Sequence, residues 1–161
     1  CILMRAVLAA WGDDERRVWV ADSFAGMPAL EPGKAPTGVD KLRDAAGFAV
    51  SADEVRANFA RYALLDDRVV LLEGWFRDTL PGDAIGPLAI LRIDAVLWES
   101  TKDALEALYD KVVPGGYVIV DDFGVFAGCR AAVNEFRRDR AIDEPIEWID
   151  DSGIYWRRRP A

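Results

Sequence analysis

The chain has 161 residues, enough for one domain around one sizeable core, and 52% of them are apolar, which excludes a disordered segment. Its 20 basic and 28 acidic residues leave a net charge of −8, which excludes the basic face that nucleic acid or an anionic membrane surface requires. Histidine is absent, so His-based zinc sites, Ser-His-Asp triads and histidine general bases are excluded together, and acid–base work falls to Asp, Glu, Lys, Tyr or Cys.

In chain order, residues 2–11 predict a helix with Leu3, Ala6, Val7 and Ala10 on one face, ended by Gly12 and the acidic run Asp13-Asp14-Glu15. Residues 18–21 are a short apolar run, read as a buried parallel strand that stops at Asp22-Ser23-Phe24. Residues 29–50, with Pro32, Gly33, Pro36, Gly38 and Gly47, predict a long loop of the kind that serves as a lid. Ser51 and Glu54 form a capping box that opens a helix burying Val55, Phe59 and Tyr62. Val69–Glu73 is the next strand, ending at Gly74-Trp75-Phe76, and Leu88–Ile93 another, ending at Asp94. Ser100-Thr101-Lys102-Asp103 caps a predicted helix reaching about residue 111. Pro114-Gly115-Gly116 then turns into a strand over residues 117–120 that ends at Asp121-Asp122. A helix over residues 127–138 and an antiparallel pair, 146–149 with 154–157, close the chain. Arg157-Arg158-Arg159 reads as a solvated tail. Cys129 reads as a small buried apolar residue, and Trp19, Trp148 and Trp156 as core or interface residues.

Strands alternating with helices predict an α/β fold, a doubly wound and mostly parallel sheet in a single domain spanning residues 1–161. No signal peptide and no apolar run of membrane-spanning length is visible. Two cysteines, Cys1 and Cys129, fit a reducing cytoplasm without a disulfide framework. A homo-oligomer is compatible with the sequence, which does not fix the oligomeric state.

In such sheets ligands sit beyond the carboxyl ends of the strands, which directs attention to Asp22, Gly74, Asp94 and Asp121-Asp122. Asp22 can accept both ribose hydroxyls of an adenosine cofactor, or simply cap a turn. Gly74 allows close backbone approach to a ligand, and Trp75 with Phe76 could wall an adenine ring or fill the core. Asp94 and the pair Asp121-Asp122 lie one strand–helix–strand unit apart, so neighbouring parallel strands bring three carboxylates to one end of the sheet. Three such anions repel unless a cation joins them, and an all-oxygen donor set suits magnesium, manganese or calcium, not zinc. The alternative is a set of helix caps and solvated loop acids.

At these residues the chain resembles the macrocin/mycinamicin sugar O-methyltransferases, the TylF-like family of macrolide biosynthesis. The matching segments begin at Cys1, Val18, Leu71, Leu91, Trp98 and Gly115, and include Leu91-Arg92-Ile93-Asp94, Trp98-Glu99-Ser100-Thr101 and the run from Gly115 to Asp122. The resemblance implies a class I, Rossmann-like methyltransferase using S-adenosylmethionine and magnesium (or manganese) to methylate a sugar hydroxyl of a glycosylated small molecule. It further implies Asp22 as the ribose-binding acid with Ser23 and Phe24 beside it. Gly74, Trp75 and Phe76 would belong to the cofactor pocket, Asp94, Asp121 and Asp122 would be metal ligands, and Asp94 would also be the general base.

The chain departs from that pattern in two places. The family's first strand and glycine-rich segment, which precede the stretch matching Cys1, are absent. The chain is therefore expected to be N-terminally incomplete, with two interior strands left open-edged. Val96 also stands where the family has a second acid. A catechol-type O-methyltransferase, a dinucleotide-binding dehydrogenase and a non-catalytic relative are the competing expectations.

Overall fold

The structure, a computed structural model, describes residues 1–27 and 49–159. The expected lid therefore lies outside the described residues apart from positions 49 and 50. Two compact units make up the rest: residues 1–27 with 49–79, and residues 80–159.

The first unit runs α1 (Ile2–Ala10), β1 (Val18–Asp22), α2 (Ala52–Arg61), β2 (Val69–Glu73) and the short α3 (Phe76–Thr79). Strands β1 and β2 pair in parallel from Val18↔Val69 to Asp22↔Glu73, so both end on the same side of the unit. The capping box forms as expected, with Ser51 Oγ accepting the Glu54 amide at 3.2 Å. Phe59 is buried beneath α2, whereas Tyr62 is exposed, because it follows the last helical turn and leaves the buried face. The apolar stripe of α1 is also exposed at Leu3 and Val7. This helix turns Arg5 inward instead, where its guanidinium grips Asp66 through Nε and Nη2 and holds that carboxyl well below the usual range.

The second unit runs β3 (Leu88–Ile93), α4 (Trp98–Leu108), a 3-10 turn (Tyr109–Lys111), β4 (Val112–Val120), α5 (Ala127–Asp139), β5 (Glu147–Trp148) and β6 (Ile154–Arg157). Its sheet has the order β3-β4-β6-β5. Strand β3 is parallel to β4, and β6 is antiparallel to both β4 and β5. Apolar strand residues (Leu91, Ile93, Val118, Val120, Ile154, Trp156) and the inner faces of α4 and α5 (Leu105, Leu108, Val133, Phe136) form the core. Among the described residues β1 pairs only with β2, and β3 only with β4.

Three local predictions are corrected. Helix α4 begins at Trp98, so Ser100 and Thr101 lie inside it rather than capping it. Thr101 is fully buried, and its hydroxyl donates to the Ala95 and Leu97 carbonyls at 2.7 and 2.9 Å. That bond folds the loop carrying Asp94 back onto the helix. Strand β4 starts at Val112, and Gly115 (φ 81°) sits within it, beside a register irregularity against β3, instead of forming a separate turn. The basic tail is not loose: Arg158 is half-buried and donates through Nη1 to the carbonyls of Tyr109, Asp110 and Val112.

Replacing Thr101 by Val keeps the volume and removes the donor, leaving the Ala95 carbonyl without this partner. Urea unfolding is expected to show a loss of about 1–3 kcal/mol; an unchanged midpoint would show that the hydroxyl does not hold the loop.

Candidate active site

In the first unit, the carboxyl ends of β1 and β2 bring Asp22 and Gly74 together, with the Gly74 amide donating to the Asp22 carbonyl at 3.0 Å. Asp22 Oδ1 accepts the Phe24 amide at 2.6 Å, which holds Phe24 in a left-handed conformation (φ 53°). Ser23 Oγ donates to the Gly26 carbonyl at 2.8 Å and closes the same turn. Gly74 has φ 145°, and a Cβ there would stand 2.7 Å from Thr79 Cγ2, so the residue after β2 has to be glycine. Trp75 is partly exposed, and Phe76 opens α3 half-buried. All six residues expected to contact a cofactor thus flank two adjoining strand ends, and the Asp22 carboxylate remains exposed.

In the second unit, β3 and β4 end in register at Ile93↔Val120, and the Asp121 amide donates to the Ile93 carbonyl at 3.0 Å. This pairing places Asp94 beside Asp121-Asp122. A fourth charged group, not singled out from the sequence, joins them. Arg92 Nη2 donates to Asp94 Oδ2 at 3.3 Å and to Asp121 Oδ2. Two-residue periodicity was the available signal, since it puts Arg92 and Asp94 on one face of an extended strand.

Asp122 occupies a different environment. Its Oδ2 is buried without a hydrogen-bond partner. Burial, and then the negative charge of Asp94, push its carboxyl up to about 6 against the opposing pull of Arg92. Behind it lies Cys129, fully buried next to Thr101, its thiol pushed up to about 11 by burial and therefore inert.

The loop after Asp122 is pinned from both sides. The Asp122 carbonyl accepts the Phe126 amide at 2.9 Å, and the Gly124 amide donates to the Ser152 carbonyl at 2.7 Å. A Cβ on Gly124 would stand 2.1 Å from the Asp151 carbonyl oxygen, so only glycine permits this approach.

The expected three-carboxylate cradle is corrected in one respect. Among the described residues, no three Asp, Glu, His or Cys side chains stand as a group that could hold a metal ion. Asp94 and Asp122 are electrostatic neighbours, but Asp121 is turned to Arg92. The all-carboxylate chemistry and the orphaned Asp122 oxygen fit a hard cation, while the third donor is engaged by the guanidinium. Among the described residues no helix is long and apolar enough to cross a membrane.

Comparison with solved structures defines the class. The chain matches the O-methyltransferase NovP with a TM-score of 0.91 at 48% identity, over 99% of this chain and 66% of that one. It shares its fold with the S-adenosylhomocysteine-bound Podospora anserina methyltransferase PaMTH1 (TM-score 0.54, 16% identity, 99% of this chain and 79% of that one). The fold is therefore α/β of the class I, Rossmann-like methyltransferase type.

The chain belongs to the macrocin O-methyltransferase (TylF) family, whose model matches residues 1–158. Among its relatives, the 8-demethyl-8-(2,3-dimethoxy-alpha-L-rhamnosyl)-tetracenomycin-C 4'-O-methyltransferase of Streptomyces olivaceus is 52% identical over 99% of this chain. The demethyldecarbamoylnovobiocin O-methyltransferase of Streptomyces niveus is 49% identical over 98%. The mycinamicin III 3''-O-methyltransferase of Micromonospora griseorubida is 41% identical, also over 98%. The chain spans 62%, 61% and 63% of these three relatives' own lengths, respectively.

The raised Asp122 carboxyl makes a signed prediction. Between about pH 4 and 6 the folded protein keeps a proton that the unfolded chain has lost, so stability falls as pH rises through this window. In the presence of chelator, Asp122→Asn is expected to melt above wild type at pH 7.5, with the difference vanishing towards pH 4. A difference independent of pH would contradict the assignment.

Proposed function

We propose that the protein transfers a methyl group from S-adenosylmethionine to a sugar hydroxyl of a glycosylated small molecule, with Asp94 as general base. The observation that carries this reading is the Asp94 carboxylate, exposed at the tip of β3 beside Asp122 and Arg92. The names of its relatives support the substrate class, since one acts on a rhamnosyl tetracenomycin and another on mycinamicin III.

When bound, S-adenosylmethionine supplies a methyl carbon activated by a positive sulfonium. Transfer of that methyl to the acceptor oxygen would release the cofactor as a neutral thioether, its sulfur keeping the electron pair of the former methyl–sulfur bond. Asp94 takes the hydroxyl proton. An exposed carboxylate suits this task, because it meets the acceptor without displacing core residues. Arg92, hydrogen-bonded to Asp94, fixes the direction in which the carboxylate points. Asp22 would accept the ribose hydroxyls of the cofactor, with Ser23 and Phe24 shaping the turn beside it. Gly74, Trp75 and Phe76 would approach its adenine. A divalent cation, magnesium or manganese, belongs to the proposal. Asp94, Asp121 and Asp122 would hold it, and it would supply Lewis acidity that lowers the pKa of the acceptor hydroxyl.

A catechol-type acceptor is the competing reading, and a substrate panel separates the two. Deoxysugar glycosides are expected to be methylated and catechols not. Replacing Asp94 by Asn is expected to lower kcat about 10²- to 10⁴-fold, the usual worth of a positioned base. Turnover of catechols alone would reject the sugar assignment, and undiminished kcat in Asp94→Asn would reject the base.

A further inference from the structure

We infer that Trp148 and Ile149, together with Val125, form an apolar platform that binds the non-sugar part of the acceptor while its sugar lies over Asp94. This rests on the glycoside reading above and deepens it by assigning the residues that recognise the aglycone.

Three observations carry it. First, the platform stands at the same end of the sheet as the acids. Strand β6 is antiparallel to β4 with Ile154 opposite Val120, and β5 is antiparallel to β6 with Trp148 opposite Ile154. Ile93, Val120, Ile154 and Trp148 thus form one row across the four strands, and the turn of residues 149–153 crowns the tips that carry the aspartates. In the order β3-β4-β6-β5, Trp148 lies three strand spacings from the tip of β3, roughly 14 Å. That interval accommodates a sugar between the Asp94 carboxylate and the indole, so an aglycone carried by the sugar reaches the ring.

Second, the platform is apolar and open. Ile93, Val120 and Ile154 are all buried, whereas Trp148 is 57% exposed, so it carries the apolar row out of the core. Ile149 and Val125 are each 54% exposed. An open cleft of about 470 Å³ is lined by Trp148, Ile149, Asp150 and Asp151. Apolar walls with a polar rim suit a hydrophobic scaffold, and an indole face supplies much of the contact area.

Third, the platform is rigid and joined to the acids. Trp148 meets Phe123 edge-on with ring centroids 5.8 Å apart, and Phe123 directly follows Asp122. Asp150 Oδ1 accepts the Ser152 and Gly153 amides at 2.8 and 2.7 Å and the Ser152 hydroxyl at 3.0 Å, which closes the turn. The Gly124 amide, donating to the Ser152 carbonyl, ties that turn to the loop carrying Val125. A surface fixed in this way loses little freedom when a ligand settles on it. The register also favours the ligand over a second copy of the chain, since a subunit contact gains nothing from lying in line with the Asp94 strand tip.

Saturation-transfer NMR tests this without reference to turnover. Wild type, Trp148→Ala, Trp148→Phe and Ile149→Ser are titrated with the naphthyl and methyl glycosides of L-rhamnose and with naphthol, S-adenosylhomocysteine being present. Wild type is expected to bind the naphthyl glycoside about tenfold more tightly than the methyl glycoside. Trp148→Ala and Ile149→Ser should lose most of that preference and keep their affinity for the methyl glycoside, while Trp148→Phe should retain it in large part. Ile149→Ser carries the comparison if Trp148→Ala does not fold. A preference that persists in both truncations would overturn the platform and leave the sugar reading intact. So would a loss of dimer on size exclusion with the preference unchanged. Naphthol bound as tightly as its glycoside, and lost in Trp148→Ala, would support the platform and reject the sugar reading. Binding of neither glycoside nor naphthol would overturn both.

Discussion

The parallel pairing of β3 with β4 is the constraint on which the candidate chemistry depends. Once Ile93 lies opposite Val120, the next residue of each strand is an aspartate, and no further folding is needed to bring the acids together. The register is secured from beneath by Leu91, Ile93, Val118 and Val120, all buried, so that a slip of one residue would expose an apolar row. It is secured from behind by Thr101, which ties the Asp94 loop to α4, and by Gly124, which lets the Asp122 loop lie against the turn before β6. The acids are therefore held close by apolar packing and backbone pairing beneath them as well as by Arg92, and the repulsion that remains is carried by the rest of the unit.

How that repulsion is met determines what the site can do. Asp121 is paired with a guanidinium, Asp94 is shared and largely in water, and Asp122 is half-buried with one oxygen unmet. Three chemically identical side chains thus acquire three different characters from burial and partners alone. The exposed one suits proton transfer, and the buried one calls for a cation or a proton. A family whose members methylate hydroxyl groups has a use for both.

Much of this was legible in the sequence. The strands Val69–Glu73 and Leu88–Ile93 stand at their predicted bounds, because a short, mostly apolar run followed by Gly or Asp has few other ways to be buried. The placement of Asp22 beside Gly74, and of Asp94 beside Asp121, followed from the same reasoning. The failures share a cause, which is tertiary hydrogen bonding that local pattern does not encode. Ser100-Thr101 has the composition of a cap, yet the Thr101 hydroxyl turns back to Ala95 and Leu97 within the helix. Arg158 has the composition of a tail, yet three backbone carbonyls claim it. Arg92 was passed over as an ordinary strand residue, because a single charge on an exposed strand face is commonplace until its partner from another strand is known.

The account's central claim is that Asp94, Asp121 and Asp122 form one electrostatic unit able to accept a hard cation. Anomalous diffraction from crystals grown with Mn²⁺ tests it most directly. The account predicts a single peak bounded by these three carboxylates. A map with no peak there, and Arg92 still joining Asp94 to Asp121 at saturating Mn²⁺, would contradict it.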